Sequence, residues 1–493
     1  MMNPITLIDG YKLDHRRQYP AGTTRVYSNW TPRESRIPGV SKITLFGLQY
    51  FCARYLANDF GTGFFCQDIR DVARKYARRV NGYLGPNAIG TDHIEALHAL
   101  QYLPVEVRAV PEGSRVPLRV PMLTIENTHP EFAWLVNYLE TLKSSVLWQP
   151  CTSATQALRL RALLDAAAML TGSPAEFVPW QGHDFSFRGM PGPEAAALSG
   201  AGHLLAFQGT DTMPALDLID DYYSPDGLRD DHAGSVAATE HSVMCAGGME
   251  NERETFERLL ELYPAGVVSV VSDTWDLWKV LTETLPSLKD QILARNGKLV
   301  IRPDSGNPCD IVCGDPKAPV GSPAHLGVIS LLWDVFGGTH TDAGHRILDS
   351  HVGCIYGDSI TYERAREITQ RLAAKRFASC NMVFGVGSYT YQYVTRDTFG
   401  FALKSTWVEV EGEGRDIYKK PATDNGMKNS AKGRLAVLRD TETRELVLIN
   451  QATAAQEASS FLQPVWRNGA FVPGRCENFA TIRARALEAN KEE

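Results

Sequence analysis

The chain has 493 residues, with 50 Lys and Arg against 57 Asp and Glu for a formal charge of −7; 44% of it is hydrophobic and 22% charged. This is the balance of an ordinary globular protein large enough to bury its own core, which excludes disorder, collagen and coiled coil. Mild acidity excludes a dedicated nucleic-acid or membrane-surface binder, which needs a positive field.

In chain order, residues 1–127 mix helix and strand without a clear period, and Met1 to Lys12 lacks the basic start and apolar stretch of a secretory signal. Val105 to Val110 alternates, a turn follows at Pro111-Glu112-Gly113, and Arg115 to Ile125 is extended, with Pro117 and Pro121 breaking any helix. A helix is predicted from the Thr128-x-x-Glu131 capping box through Leu135, Leu139, Leu142 and Val146. A second helix, Ala154 to Leu170, stops at Gly172.

From about residue 178 the rhythm changes to short apolar runs that end in Gly/Asp/Ser-rich turns. Five such units are legible: Leu204 to Phe207 with GTDT, Val267 to Val271 with Ser272-Asp273, Leu299 to Ile301 with RPDSGNP, Cys354 to Tyr356 with Gly357-Asp358-Ser359, and Met382 to Phe384 with GVGS. Continuous apolar strands separated by helices predict a parallel sheet. In a βα barrel or a doubly wound sheet, function sits at the C-terminal ends of those strands. The tail turns β-rich again, with TWVEV (406 to 410), a turn at 411 to 414, LAVL (435 to 438) facing LVLI (446 to 449), and a basic loop from Lys419 to Arg434.

We therefore expect an α/β fold: an irregular βα-barrel-like domain over 151–399 and a smaller β-rich α+β domain built from both chain ends, 1–150 and 400–493. Nine cysteines with no CxxC pair suit free thiols in a reducing compartment, and no apolar run is long enough to span a membrane, so a cytoplasmic protein is expected.

Residue chemistry singles out several turns. Arg302-Pro303-Asp304-Ser305-Gly306 puts a guanidinium and a carboxylate at a strand end, suited to a phosphorylated sugar, since Arg forks a phosphate and Asp accepts from ribose hydroxyls, or else forms a structural Asp-Ser-Gly turn with Arg paired to the carboxylate. The glycines of Gly385-Val386-Gly387-Ser388 could cradle a phosphate or simply connect strand to helix. Arg396 could close such a site or pair with Asp397 on the surface. His183-Asp184-Phe185 with Arg188 offers a stacking ring and an anion partner, or a buried Phe beside a self-satisfied His–Asp pair. His241 after Glu240 could cap a helix or act as an imidazole acid, base or nucleophile. Asp211 could be a helix N-cap. The loop with GMKNSAKGR (426 to 434) is a solvated surface loop or a phosphate-binding lid.

Taken together, DGYKLDHRRQYP (9 to 20), FGLQY (46 to 50), VPEG (110 to 113), HDFSFRG (183 to 189), FQGTDT (207 to 212), TEHS, SVVSD (269 to 273), IRPDSGNP (301 to 308), GDS (357 to 359) and KGRL (432 to 435) resemble the nicotinamide phosphoribosyltransferase family of type II phosphoribosyltransferases. The resemblance implies transfer of phosphoribosyl from phosphoribosyl pyrophosphate to nicotinamide, with Mg²⁺ held mainly through the substrate diphosphate, in a homodimer with active sites at the subunit interface. It implies that Phe185 and the partner's Tyr11 sandwich the base, that Asp211 accepts from the carboxamide with Arg302 also on the nicotinamide side, and that Arg188, Arg302 and His241 serve the diphosphate. Asp304 with Gly357 and Asp358 would hold the ribose. Gly387, Ser388, Arg396, Lys428 and Ser430 would serve the 5′-phosphate side, with Arg33 reaching across the dimer. His241, Asp304 and Arg302 would be the catalytic set, with ATP hydrolysis coupled through a phosphohistidine on His241. Ser388, Ser359 and Trp180 depart from the family pattern, and residues 309–350 match it poorly. The alternatives are nicotinate phosphoribosyltransferase, against which Asp211 argues by charge, and a non-catalytic dimer of the same fold.

Overall fold

The apolar runs of the middle of the chain assemble as a seven-stranded sheet in the order Gly209–Thr210, Gly182–Asp184, Met382–Val386, Val352–Tyr356, Asn296–Arg302, Ala265–Val271, Ala237–Ala238, every neighbour parallel. The computed structural model describes residues 3–86, 89–224, 233–357, 359–419 and 430–491. Two compact units make up the chain: Met1–Thr155 with Leu218–Arg229 and Val394–Glu493, and Gln156–Asp217 with Asp230–Tyr393.

The parallel sheet lies in the second unit. Its strands are apolar because both faces are covered: Val268, Val270, Leu299, Ile301, Met382 and Phe384 are fully buried. Gly209 also bridges to Gly234, the Thr210 N–H donating to the Gly234 carbonyl at 3.2 Å and the Gly234 N–H to the Gln208 carbonyl at 2.8 Å. The sheet therefore curls until one edge strand is tied to the segment leading into the other, the barrel-like closure that gathers the strand ends on one rim.

Three local expectations give way. Leu204 to Phe207 is a buried turn after the helix Pro193–His203, not a strand. Its N–H groups are already committed, Leu204 to the Gly200 carbonyl and Phe207 to that of His203, so the run cannot enter a ladder. The strand is the two-residue Gly209–Thr210 beyond it, and Gly182–Asp184 and Ala237–Ala238 are strands too short for any periodicity to reveal. The two helices expected around 128–170 include one continuous helix, Glu140–Thr171, which passes through Pro150. One lost hydrogen bond does not end it, because Leu147, Cys151 and Ala154 bury the surrounding face. The cap of the preceding turn is His129, whose ring nitrogen accepts from the Glu131 N–H; Thr128 instead bonds Asn468.

In the first unit an antiparallel seven-stranded sheet runs Glu413–Asp416, Ala402–Val410, Thr23–Thr31, Leu123–Asn127, Val105–Ala109, Gln463–Arg467, Ala470–Phe471, so three strands from the N-terminal part of the chain are flanked on both sides by strands from its C-terminal part. Leu435–Arg439 and Leu446–Asn450 pair as a separate hairpin. Among the described residues no helix is long and apolar enough to cross a membrane.

Candidate active site

The strand pairing builds the first half of the site. His183 faces Gly209 across the ladder and Asp184 faces Thr210, which brings Asp211, one residue past the short strand, beside the imidazole. His183 Nε2 lies 2.9 Å from Asp211 Oδ1, and Ser235 Oγ donates to the same oxygen at 2.6 Å. A side chain at residue 209 would begin 2.7 Å from His183 Nδ1, so glycine there is what makes room for the ring. Burial pushes the Asp211 carboxyl up, but the hydrogen bonds from His183 and Ser235 and the charge of Arg302 outweigh it and hold the group below its ordinary value. Asp211 is thus an anion at neutral pH. The Phe185 ring sits 4.6 Å from the His183 ring, and its own N–H donates to the Val386 carbonyl.

The second half is the turn after Asn296–Arg302. Arg302 forks Asp304, Nε to Oδ1 at 3.1 Å and Nη2 to Oδ2 at 3.0 Å, and lies 5.0 Å from the centre of the Phe185 ring. Its Nη1 has no partner among the described residues. Asp273 Oδ2, at the end of the neighbouring strand, accepts from the N–H groups of Asp304 and Ser305 at 2.9 and 2.7 Å and from Ser305 Oγ, so one carboxylate shapes the whole turn. His241, half exposed at the start of the helix His241–Ala246, has Nδ1 3.2 Å from Thr274 Oγ1 and Nε2 4.0 Å from Asp304 Oδ2. Gly357 lies against this cluster: a Cβ there would come within 2.7 Å of Arg302 Nε and closer still to Asp304 Oδ1.

Arg188, on the exposed turn Phe187–Gly189, has no partner among the described residues. A side chain at Gly189 would run into Ser388, so this turn and the Gly387-Ser388 turn, where the helix Ser388–Tyr391 begins, are neighbours. Phe185, Asp211, His241, Arg302, Asp304 and Gly357 therefore converge at one rim, with Arg188, Gly387 and Ser388 gathered in a second group.

The remaining candidates belong to the other unit. Tyr11 is 64% exposed, Arg33 Nε donates to the Gly400 carbonyl, Arg396 pairs with Asp397 at 2.7 Å, and Ser430 Oγ accepts from the Lys419 N–H. Asp358 and Lys428 lie outside the described residues. Sequence reasoning missed Asp273 and Ser235. Asp273 carried a signal, a carboxylate at a strand end within SVVSD, whereas Ser235 carried none.

Residues 180–468, more than half of the chain, match the nicotinate phosphoribosyltransferase (NAPRTase) family model. The chain belongs to that family. Residues 3–82 also match the N-terminal domain of nicotinamide phosphoribosyltransferase. Among relatives of this phosphoribosyltransferase chain, nicotinamide phosphoribosyltransferase of Acinetobacter baylyi is 51% identical over 95% of this chain and 94% of its own length. The enzyme of the same name from Xanthomonas campestris is 36% identical over 95% of each, and that of Mycoplasma pneumoniae 38% identical over 86% and 94%. Two solved structures share the fold: nicotinate-nucleotide pyrophosphorylase from Pyrococcus furiosus (TM-score 0.60, 17% identity, 99% of this chain and 96% of that one) and human nicotinic acid phosphoribosyltransferase (0.54, 18%, 98% and 93%).

Proposed function

We propose that this chain is a nicotinamide phosphoribosyltransferase, a pentosyltransferase of NAD salvage that joins nicotinamide to phosphoribosyl pyrophosphate and releases pyrophosphate. The observation that carries the choice of base is Asp211: an anionic carboxylate with Oδ1 already taken by His183 and Ser235 presents Oδ2 as an acceptor for an NH₂ group. A nicotinic acid carboxylate would meet it charge on charge.

The ring nitrogen of the base attacks C1 of the ribose while the bond from C1 to pyrophosphate breaks. Its lone pair is free, so no general base is required, and stacking against Phe185 supplies orientation. Negative charge grows on the leaving diphosphate, where Arg302 Nη1 and Arg188 are available cations. Asp304, held by Arg302, would accept from the ribose hydroxyls beside Gly357, and Gly387 and Ser388 would receive the 5′-phosphate. Among the described residues no three His, Cys, Asp or Glu groups form a metal cage. A Mg²⁺ brought in by the diphosphate nevertheless fits the rim, because Asp273 Oδ1 is buried with no hydrogen-bond partner among the described residues and is the hard oxygen donor such an ion prefers. When bound, the ion would offset charge on the leaving group.

Two further elements of this reading rest on exposure. Tyr11 is open to solvent, as a ring completing the base site of a second protomer in a homodimer must be. His241 is half exposed, as a nucleophile must be if one ring nitrogen is to attack the γ-phosphorus of ATP and release ADP. The test mixes the protein, Mg²⁺ and phosphoribosyl pyrophosphate with equal nicotinamide and nicotinic acid, with and without ATP, and identifies the product by mass. Nicotinamide mononucleotide, boosted by ATP, is expected; the acid mononucleotide would move the chain to the sister activity, and no product would favour a non-catalytic role.

A further inference from the structure

Asp211 does not stand alone: two side chains from other segments hold it. Both donors address the same oxygen: His183 Nε2 at 2.9 Å and Ser235 Oγ at 2.6 Å converge on Oδ1. They reach it from opposite sides of the closure, His183 from the strand Gly182–Asp184 and Ser235 from the residue after the Gly209–Gly234 bridge. Facing a carboxylate, His183 Nε2 must carry a proton, which leaves Nδ1 the acceptor in a neutral ring. Oδ2 takes no hydrogen bond among the described residues.

We propose that His183 and Ser235 are positioning residues for base selection, clamping Asp211 through Oδ1 so that a charged Oδ2 is aimed at the carboxamide nitrogen of the base. The clamp acts in two ways. Two fixed donors on one oxygen prevent the carboxylate from rotating, so the other oxygen meets the amide at a set angle. They also favour the ionised carboxylate over the acid, and a protonated Asp211 would donate to nicotinic acid instead of repelling it. Selectivity is thus distributed over three residues from three segments, and the edge bridge between Gly209 and Gly234 is what brings the third one in.

This inference rests on the reading of Asp211 as the base-recognising residue, and the experiment separates the two. The ratio of kcat/KM for nicotinamide to that for nicotinic acid is measured for the parent chain and for Ser235→Ala, His183→Leu and His183→Gln. Loss of one hydrogen bond to a charged group predicts a fall in the ratio of about tenfold for Ser235→Ala and for His183→Leu. His183→Gln keeps an N–H donor and should recover much of the parent ratio. KM for phosphoribosyl pyrophosphate should stay near the parent value in all three, which a general loosening of the fold would not allow. Ser235 is exposed, so its variant keeps the test alive if the His183 variants fail to fold. An active parent whose Ser235→Ala variant keeps the ratio, or equal ratios for His183→Leu and His183→Gln, overturns the clamp alone. A parent active on neither base, or indifferent between them, overturns the reading of Asp211 and the clamp with it.

Discussion

Lys143 gives the most quantitative expectation. It sits on the helix Glu140–Thr171, is 1% exposed, and its Nζ has no hydrogen-bond partner among the described residues. Burial pushes its ammonium down to about 7 from 10.5; Glu140 and Cys52 pull the other way, and the charge of Lys12 adds to the depression. Glu140 is already engaged by Lys12, which leaves Lys143 no carboxylate of its own. The unfolded chain holds this proton more tightly than the folded one, so the penalty is full below pH 7 and fades as pH rises through the window from about 7 to 10.5. At about 1.4 kcal/mol per pKa unit, burying the charge opposes folding by about 4 kcal/mol at pH 7 and by less than ~1 kcal/mol near pH 10.5. Lys143→Met removes the charge at nearly the same volume. Urea unfolding midpoints measured from about pH 6 to about pH 10 should show the variant more stable throughout, with the gap level up to about pH 7 and narrowing above it. A variant no more stable than the parent at pH 7, or a gap independent of pH, would refute the reasoning.

Two other expectations concern the rim. His241→Ala should weaken ATP-stimulated synthesis more than basal synthesis, and equal losses in initial rates with and without ATP would remove the phosphohistidine role. Gly357→Ala should lower kcat/KM for phosphoribosyl pyrophosphate on the order of a hundredfold, because the new Cβ displaces Arg302 and Asp304 from their fork; a parent-like value with an intact fold would show that the pair has room to shift.

Much of the site was legible because its chemistry is local. Arg302 and Asp304 are two residues apart, so a pairing between them was one of the two readings open at that strand end, and the Phe185 and Arg188 turn is likewise written within one short string. The four long parallel strands were legible for a similar reason: burial on both faces favours apolar runs, and short ones lie within Ala265–Val271, Asn296–Arg302, Val352–Tyr356 and Met382–Val386. Lys143 was not legible, since a lysine in an apolar helix reads as surface until its surroundings are known.

Composition and motif by themselves determined a globular phosphoribosyltransferase-like chain with its polar turns at strand ends. Only the tertiary structure decided who meets whom. Parallel neighbours are joined through crossovers of a dozen or more residues, so spacing along the chain does not specify the sheet order. Gly209–Thr210 and Gly182–Asp184 are too short to announce themselves, yet their pairing is what sets Asp211 against His183. Ser235 reaches the same carboxylate only because a single bridge at Gly234 draws its segment to the opposite edge of the sheet. Leu204 to Phe207 makes the same point in reverse: an apolar run records burial, and the hydrogen bonds already spent on the preceding helix decide that it is a turn.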